Sequence, residues 1–84
     1  MDRLRQLLHL VTIAEEGQMT RAARRLEVAQ PALSHAIGQL ESHLGDELLE
    51  RHSRGVRLTS AGQAFLAKAR RLLTVATAAG VGPD

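Results

Sequence analysis

A chain of 84 residues with 11 Lys and Arg against 9 Asp and Glu makes one small domain of formal charge +2, which buries too small a share of its surface to be more than marginal alone, so a second chain is an expected partner. The lack of cysteine excludes a disulfide framework or a thiolate metal site, and His9, His35, His43 and His52 never fall at the i, i+4 spacing with which one helix face chelates a metal, so no cofactor is expected. No apolar run is long enough to cross a membrane, and Met1-Asp2-Arg3-Leu4 lacks a basic stretch followed by an apolar core, so a cytoplasmic chain with no membrane partner is expected.

The first predicted element is a helix from about Asp2, a plausible cap, to Glu16, ended by Gly17 in the left-handed conformation. Leu4, Leu7, Leu8, Leu10, Val11, Ile13 and Ala14 cover well over half its circumference, so it should touch both of the helical units that follow. Next comes a helix pair. Thr20 is the expected N-cap of its first member, Ala22 and Ala23 are small enough for close helix packing, and Leu26 ends the apolar stripe. The turn is Glu27 to Ala29, and Gln30-Pro31 opens the second member, because proline at a helix start loses only an N–H that has no partner anyway.

On that second helix Leu33, Ile37, Leu40 and Leu44 recur at four, three and four and form its core face. Pro31, His35, Gly38, Gln39 and Ser42 fall opposite, with Ala32 and Ser34 beside them, and no carboxylate lies there. Solvent-facing helix sides usually carry Glu and Lys. A side of Ser, His, Gly and Gln suits a helix that slides against polyanionic phosphates and offers hydrogen bonds to base edges. Gly45 should cap the helix C-terminus.

Leu48-Leu49 and Val56-x-Leu58 bracket a polar loop, so residues 48–58 read as a short antiparallel hairpin with Arg54-Gly55 at its tip and a turn longer than two residues. Charge is uneven about this hairpin. No acid follows Glu50 until Asp84, whereas Arg51, Arg54, Arg57, Lys68, Arg70 and Arg71 fall in that interval and Arg21, Arg24 and Arg25 sit on the first helix of the pair. Arg24, Arg25 and Lys68 read as solvated surface charge; Arg51 and Arg54 are placed to reach phosphates or a narrow minor groove. Finally Ser60 and Gln63 match a capping box, with Thr59 as a competing cap, for a helix running to about Ala79. Phe65, Ala69, Leu72, Ala76 and Ala79 make one seam along it, and Leu66, Ala69, Leu73 and Ala76 make another. One seam can pack on the domain and leave the other for a second copy, so Phe65, Leu66, Ala69, Leu72, Leu73 and Ala76 are the expected dimerisation residues.

Ala22-Ala23-x-x-Leu26, Gln30-Pro31-Ala32-Leu33-Ser34, Leu40-Glu41-x-x-Leu44-Gly45, Leu49-x-Arg51 and Arg57-Leu58-Thr59-x-x-Gly62 together resemble the DNA-binding domain of the LysR-type transcriptional regulators over Asp2 to about Leu73. The resemblance implies an all-α fold with a small two-stranded β wing. Residues 1–58 would form a winged helix-turn-helix (helix-turn-helix about 19–38, wing about 48–58), residues 59–80 a linker and dimerisation helix, and residues 81–84 a tail. It implies sequence-specific binding of double-stranded DNA at interrupted inverted repeats by a homodimer, with the helix from Gln30 in the major groove. A small-molecule inducer would act only through a C-terminal effector domain absent from residues 1–84. Position 35, most often arginine in that family, is histidine here, which removes a constitutive charge; Gln18 stands where serine is usual, and Leu49 where phenylalanine is.

The expected DNA-contacting residues are therefore Thr20, Arg21, Gln30, Pro31, Ala32, Ser34, His35, Gln39, Arg51 and Arg54. Gln30, Ser34, His35 and Gln39 should carry sequence preference, while Arg21, Arg51 and the helix start at Pro31 position the DNA backbone. Two readings compete from other classes. A winged helix that dimerises without touching DNA is opposed by the basic wing and the acid-free face. An enzyme is opposed by Ser34 and His35 being adjacent, hence ~100° apart on a helix, with no orienting acid. Within the DNA-binding class, the molybdate-responsive regulators are an alternative resemblance.

Overall fold

The computed structural model describes the backbone of residues 3–78 and the side chains of residues 3–71. The order is α1 (Arg3–Glu16), α2 (Met19–Leu26), α3 (Gln30–Leu44), β1 (Leu49–His52), β2 (Gly55–Leu58) and α4 (Ser60–Ala78). These are the helices and the hairpin that periodicity predicts. The expected cap Asp2 and the tail 81–84 lie outside the described residues, as do the side chains of Leu72, Leu73 and Ala76.

The core gathers Leu10 and Ile13 of α1, Met19, Ala22 and Ala23 of α2, Leu33, Ile37 and Leu40 of α3, then Leu48 and Val56 from the hairpin. Ala22 and Ala23 are buried, as close packing of α1, α2 and α3 requires. The stripe of α3 is found as predicted except at its last position, since Leu44 is 39% exposed. Helix ends at Gly17 and Gly45 have φ of 73° and 75°. In the α2–α3 turn Glu27 takes the left-handed position, φ 59°, and Val28 N–H closes onto the Ala23 carbonyl at 3.0 Å.

Helix α1 departs from its predicted face. Leu4 and Leu8 are each 48% exposed, whereas the polar Gln6, His9 and Thr12 are buried. The helix does touch both the helix pair and α4, as expected, and also β2. It does so through Gln6, His9, Leu10, Thr12 and Ile13, and an apolar surplus over more than half of the circumference conceals which residues those are. Burial of Gln6 and Thr12 is compensated by hydrogen bonds, from Gln6 Nε2 to the Ala36 carbonyl (3.4 Å) and from Thr12 Oγ1 to the Leu8 carbonyl (2.8 Å).

Two predicted caps are corrected. Helix α2 begins at Met19 with Gln18 as N-cap, making no side-chain capping bond, so Thr20 lies inside the first turn and caps nothing. In α4 the cap is Thr59 and not the Ser60–Gln63 pair: Gly62 N–H donates to Thr59 Oγ1 at 2.9 Å, and the same hydroxyl donates to the Glu47 carbonyl at 2.6 Å. A hydroxyl that serves two partners wins over one that serves only the helix.

The hairpin is antiparallel, with Leu49 opposite Leu58 and His52 opposite Gly55. Its turn is Ser53-Arg54, two residues, shorter than predicted and with Gly55 on the strand side of the tip. Among the described residues Glu27 is the only non-glycine with positive φ, so Ser53 and Arg54 do not form the mirror-image turn that Asn-Gly signals. Gly55 absorbs the geometry instead at φ 150°. A Cβ there would meet the Gly17 carbonyl oxygen at 2.2 Å, the atom that accepts the Val56 N–H at 2.9 Å. The wing is thereby pinned to the end of α1. Helix α4 packs on α1 and β2 and buries Leu66 (5% exposed) and Ala69 (4%). These two expected dimerisation residues are therefore covered by their own chain, and Phe65 is partly buried against the core.

Candidate nucleic-acid interface

The exposed face of α3 is assembled as the periodicity predicts: Gln30, Pro31, Ala32, His35, Gln39 and Ser42 are exposed, and Ser34 is half-buried. His35, Gly38, Gln39 and Ser42 line one shallow depression along the helix. A Cβ built on Gly38 meets nothing within 4 Å, so the middle of this face is open.

Beside it, a cleft of about 350 Å³ is lined by Gln18, Thr20 and Gln30 from the helix pair and by Arg51, Ser53 and Arg54 from the wing. Four predicted contact residues, Thr20, Gln30, Arg51 and Arg54, thus come together from three elements. Thr20, freed from capping, turns an exposed side chain toward this cleft. Arg51 Nη2 donates to Ser34 Oγ at 3.3 Å, joining wing to helix. Arg21 is exposed on α2 but does not line the cleft.

Arginines divide into two groups. Arg25 reaches Glu15 at 2.7 Å and Glu16 at 3.1 Å, and these hydrogen bonds, the Glu15 one first, hold its guanidinium above its ordinary pKa. It clips α2 to the end of α1, so it is not the plain solvated charge expected. Arg57 pairs with Glu50 across the hairpin. By contrast Arg5, Arg21, Arg51 and Arg54 are exposed and make no ion pair with a described carboxylate. Such cations are available to an external polyanion.

Glu41 is a residue whose role the sequence reading missed. Its Oε2 accepts Leu48 N–H at 2.8 Å and Leu49 N–H at 3.2 Å, so a carboxylate on α3 fixes the start of β1. It sits on the flank of α3 that Ser34 shares, seven residues or about two turns away. Its place in the Leu40-Glu41-x-x-Leu44-Gly45 segment was the available signal. On the other flank His9 of α1 is buried with Nδ1 lacking a hydrogen-bond partner among the described residues. Burial, and next the nearby Arg5 charge, lower its pKa.

The described residues contain neither a helix long and apolar enough to cross a membrane nor a His, Cys, Asp and Glu cluster that could hold a metal. Against known families, the model described as "Bacterial regulatory helix-turn-helix protein, lysR family" matches residues 4–63. The chain belongs to the LysR family. TfdS of Cupriavidus pinatubonensis, an HTH-type transcriptional regulator, is 55% identical over 69 residues, which are 82% of this chain and 23% of TfdS. A crystallised complex of the CbnR DNA-binding domain with DNA superposes with a TM-score of 0.83 at 47% identity, covering 94% of this chain and 91% of that one. A BenM DNA-binding domain bound to the catB site 1 DNA gives 0.82 at 42% identity, covering 96% and 90%. The chain spans about a quarter of the length of TfdS and of TcbR of Pseudomonas sp., another HTH-type transcriptional regulator it matches. Its four helices and two-stranded sheet are the winged helix of these LysR-family domains.

Proposed function

We propose that this LysR-family winged helix binds double-stranded DNA sequence-specifically and is the DNA-binding part of a transcriptional regulator. The observation that carries the proposal is the acid-free face of α3, exposed at Pro31, His35, Gln39 and Ser42, with Arg51 and Arg54 beside it, neither in an ion pair with a described carboxylate. The two superposed relatives are domains crystallised on DNA. Helix α3 enters the major groove, and the wing meets the backbone or adjacent minor groove. Gln30, Ser34, His35 and Gln39 read bases; Thr20, Arg21, Arg51 and Arg54 hold phosphates, with Pro31 and Ala32 against the backbone at the helix start. The chain acts as a homodimer on an interrupted inverted repeat. Its seam is Phe65, Leu72, Leu73 and Ala76 of α4, while Leu66 and Ala69 hold that helix on its own domain.

Selection of bound sequences from a random oligonucleotide pool tests the reading. The expected product is two half-sites of opposite orientation. Gln30→Ala should then flatten preference at one base pair per half-site, a contact worth ~1–3 kcal/mol. Unenriched pools, or binding insensitive to salt, would favour a protein-interaction module instead. Sedimentation of the isolated chain at high micromolar concentration should show a dimer that Leu72→Glu dissociates.

A further inference from the structure

The wing flanks only one side of α3, so the opposite flank raises the question of what meets the other wall of the groove. At ~100° per residue, Ser34 and Glu41 lie within ~20° of each other on the wing side, held by Arg51 and by the start of β1. Ala32 and His43 lie within ~20° of each other on the far side, with Pro31, His35 and Ser42 exposed between the two flanks. Helix α1 runs antiparallel along that far side. Arg3 Nη2 meets His43 Nε2, Gln6 meets the Ala36 carbonyl, and Arg5 and His9 share a pocket of about 150 Å³ with Val28, Ala32 and Leu33. A guanidinium has donors only, so the His43 nitrogen accepts and Arg3 keeps its other donors for a further partner.

Two exposed guanidinium groups, Arg3 and Arg5, therefore border the far flank of α3, and neither forms an ion pair with a described carboxylate. A helix with its side chains is ~10–12 Å across. The major groove is about 12 Å wide, with a phosphate row on each wall. Cations on both flanks of a helix seated there meet both rows.

We infer that the first turn of α1 is a second phosphate-binding edge, in which Arg5 and Arg3 grip the DNA backbone on the groove wall opposite the wing. The inference rests on the DNA-binding reading above, and it adds a ligand site on an element outside the helix-turn-helix and wing. Because phosphate contacts are blind to sequence, the probe is a random-sequence 30-bp duplex followed by fluorescence anisotropy from about 50 to 200 mM salt.

Each lost phosphate contact should lower the magnitude of the slope of log K against log[salt] by ~0.9. Arg5→Gln and Arg3→Gln should each do so, Arg5→Lys should retain the slope, and Arg5→Gln with Arg54→Ala should lose about twice as much as either alone. Thermal unfolding of the same variants separates lost charge from lost fold, since a purely structural role for Arg5 would shift the melting temperature and leave the slope. Wild-type slopes in both glutamine variants overturn the second edge while leaving DNA binding intact. A wild-type chain whose binding to the duplex ignores salt overturns the DNA reading itself, and the edge with it.

Discussion

Removing the Glu41 carboxylate tests whether wing and recognition helix are held as one body. Its Oε2 accepts two backbone N–H groups, at 2.8 Å from Leu48 and 3.2 Å from Leu49, and Leu48 is a fully buried core residue. Hydrogen bonds to a charged acceptor contribute ~1.5–3 kcal/mol, and a buried N–H left without a partner costs ~1–3 kcal/mol. Water can refill the bond to half-exposed Leu49 more readily than the one to Leu48. Glu41→Ala should therefore destabilise the fold by ~2–4 kcal/mol, or roughly 10–25 °C in melting temperature for a domain this small. Glu41→Gln keeps an oxygen in place and loses only the charge, so its cost should be about 1 kcal/mol. Urea unfolding followed by far-UV circular dichroism, at one protein concentration because the proposed dimer couples assembly to stability, measures both. If the two variants agree with each other and with wild type to within ~0.5 kcal/mol, the start of β1 is anchored by something other than Glu41.

Glycines give an opposed pair of outcomes. Gly62→Ala should destabilise although alanine is the better helix former by ~1 kcal/mol, because its Cβ would stand 2.1 Å from the Leu48 carbonyl oxygen; Gly38→Ala, with open space around it, should stabilise by ~0.5–1 kcal/mol in the same urea assay. His9 makes stability pH-dependent. Its pKa is lowered in the folded chain by burial and then by Arg5, so the unfolded chain binds more protons, and stability present above the ordinary histidine value of ~6.5 is lost as pH falls from there through the lowered folded value. Melting temperatures between pH 7.5 and 5 should fall less in His9→Leu than in wild type; equal falls in both would assign the dependence to other groups.

Much of the fold was legible because α3 is regular. Leu33, Ile37 and Leu40 mark one face, Gln30-Pro31 marks its start, and the exposed face follows by rotation. Elsewhere the deciding contact is distant in sequence. Residue chemistry favours Thr20 as a cap, yet α2 starts two residues after Gly17, whose carbonyl is engaged by Val56 of the wing. The wing turn looks long because Ser53-Arg54 carries no two-residue turn signal, and Gly55 supplies the geometry by lying against that same carbonyl. In α1 the apolar residues exceed what one face can bury, so nothing local reveals that Gln6, His9 and Thr12 point inward. In the candidate interface, the exposed cations beside α3 were legible where a residue type announces its charge, as with Arg51 and Arg54. It was illegible where the chemistry depends on a partner: Arg25 is exposed but clipped to Glu15, and Glu41 is acidic but serves backbone N–H groups.

These distant contacts converge on the short segment between α3 and α4. Leu48 N–H is held by Glu41, the Leu48 carbonyl accepts Thr59 N–H at 2.9 Å, and Thr59 Oγ1 donates to the Glu47 carbonyl. Val56 N–H closes onto Gly17 at the far end of α1. Each bond alone contributes ~0.5–1.5 kcal/mol net, or ~1.5–3 kcal/mol where Glu41 is the acceptor. Together with Leu48, Leu49, Val56 and Leu58 packed in or against the core, they tie the hairpin to α3. For a DNA reader that rigidity matters more than its contribution to stability. On the proposed reading, a wing held at a fixed distance from the recognition helix would lose little conformational freedom on binding, so the proposed phosphate contacts at Arg51 and Arg54 would add to affinity instead of offsetting an ordering cost. It follows that loosening the frame at Glu41 should weaken DNA binding on all sequences alike, whereas changing Gln30 or His35 should change which sequence is bound.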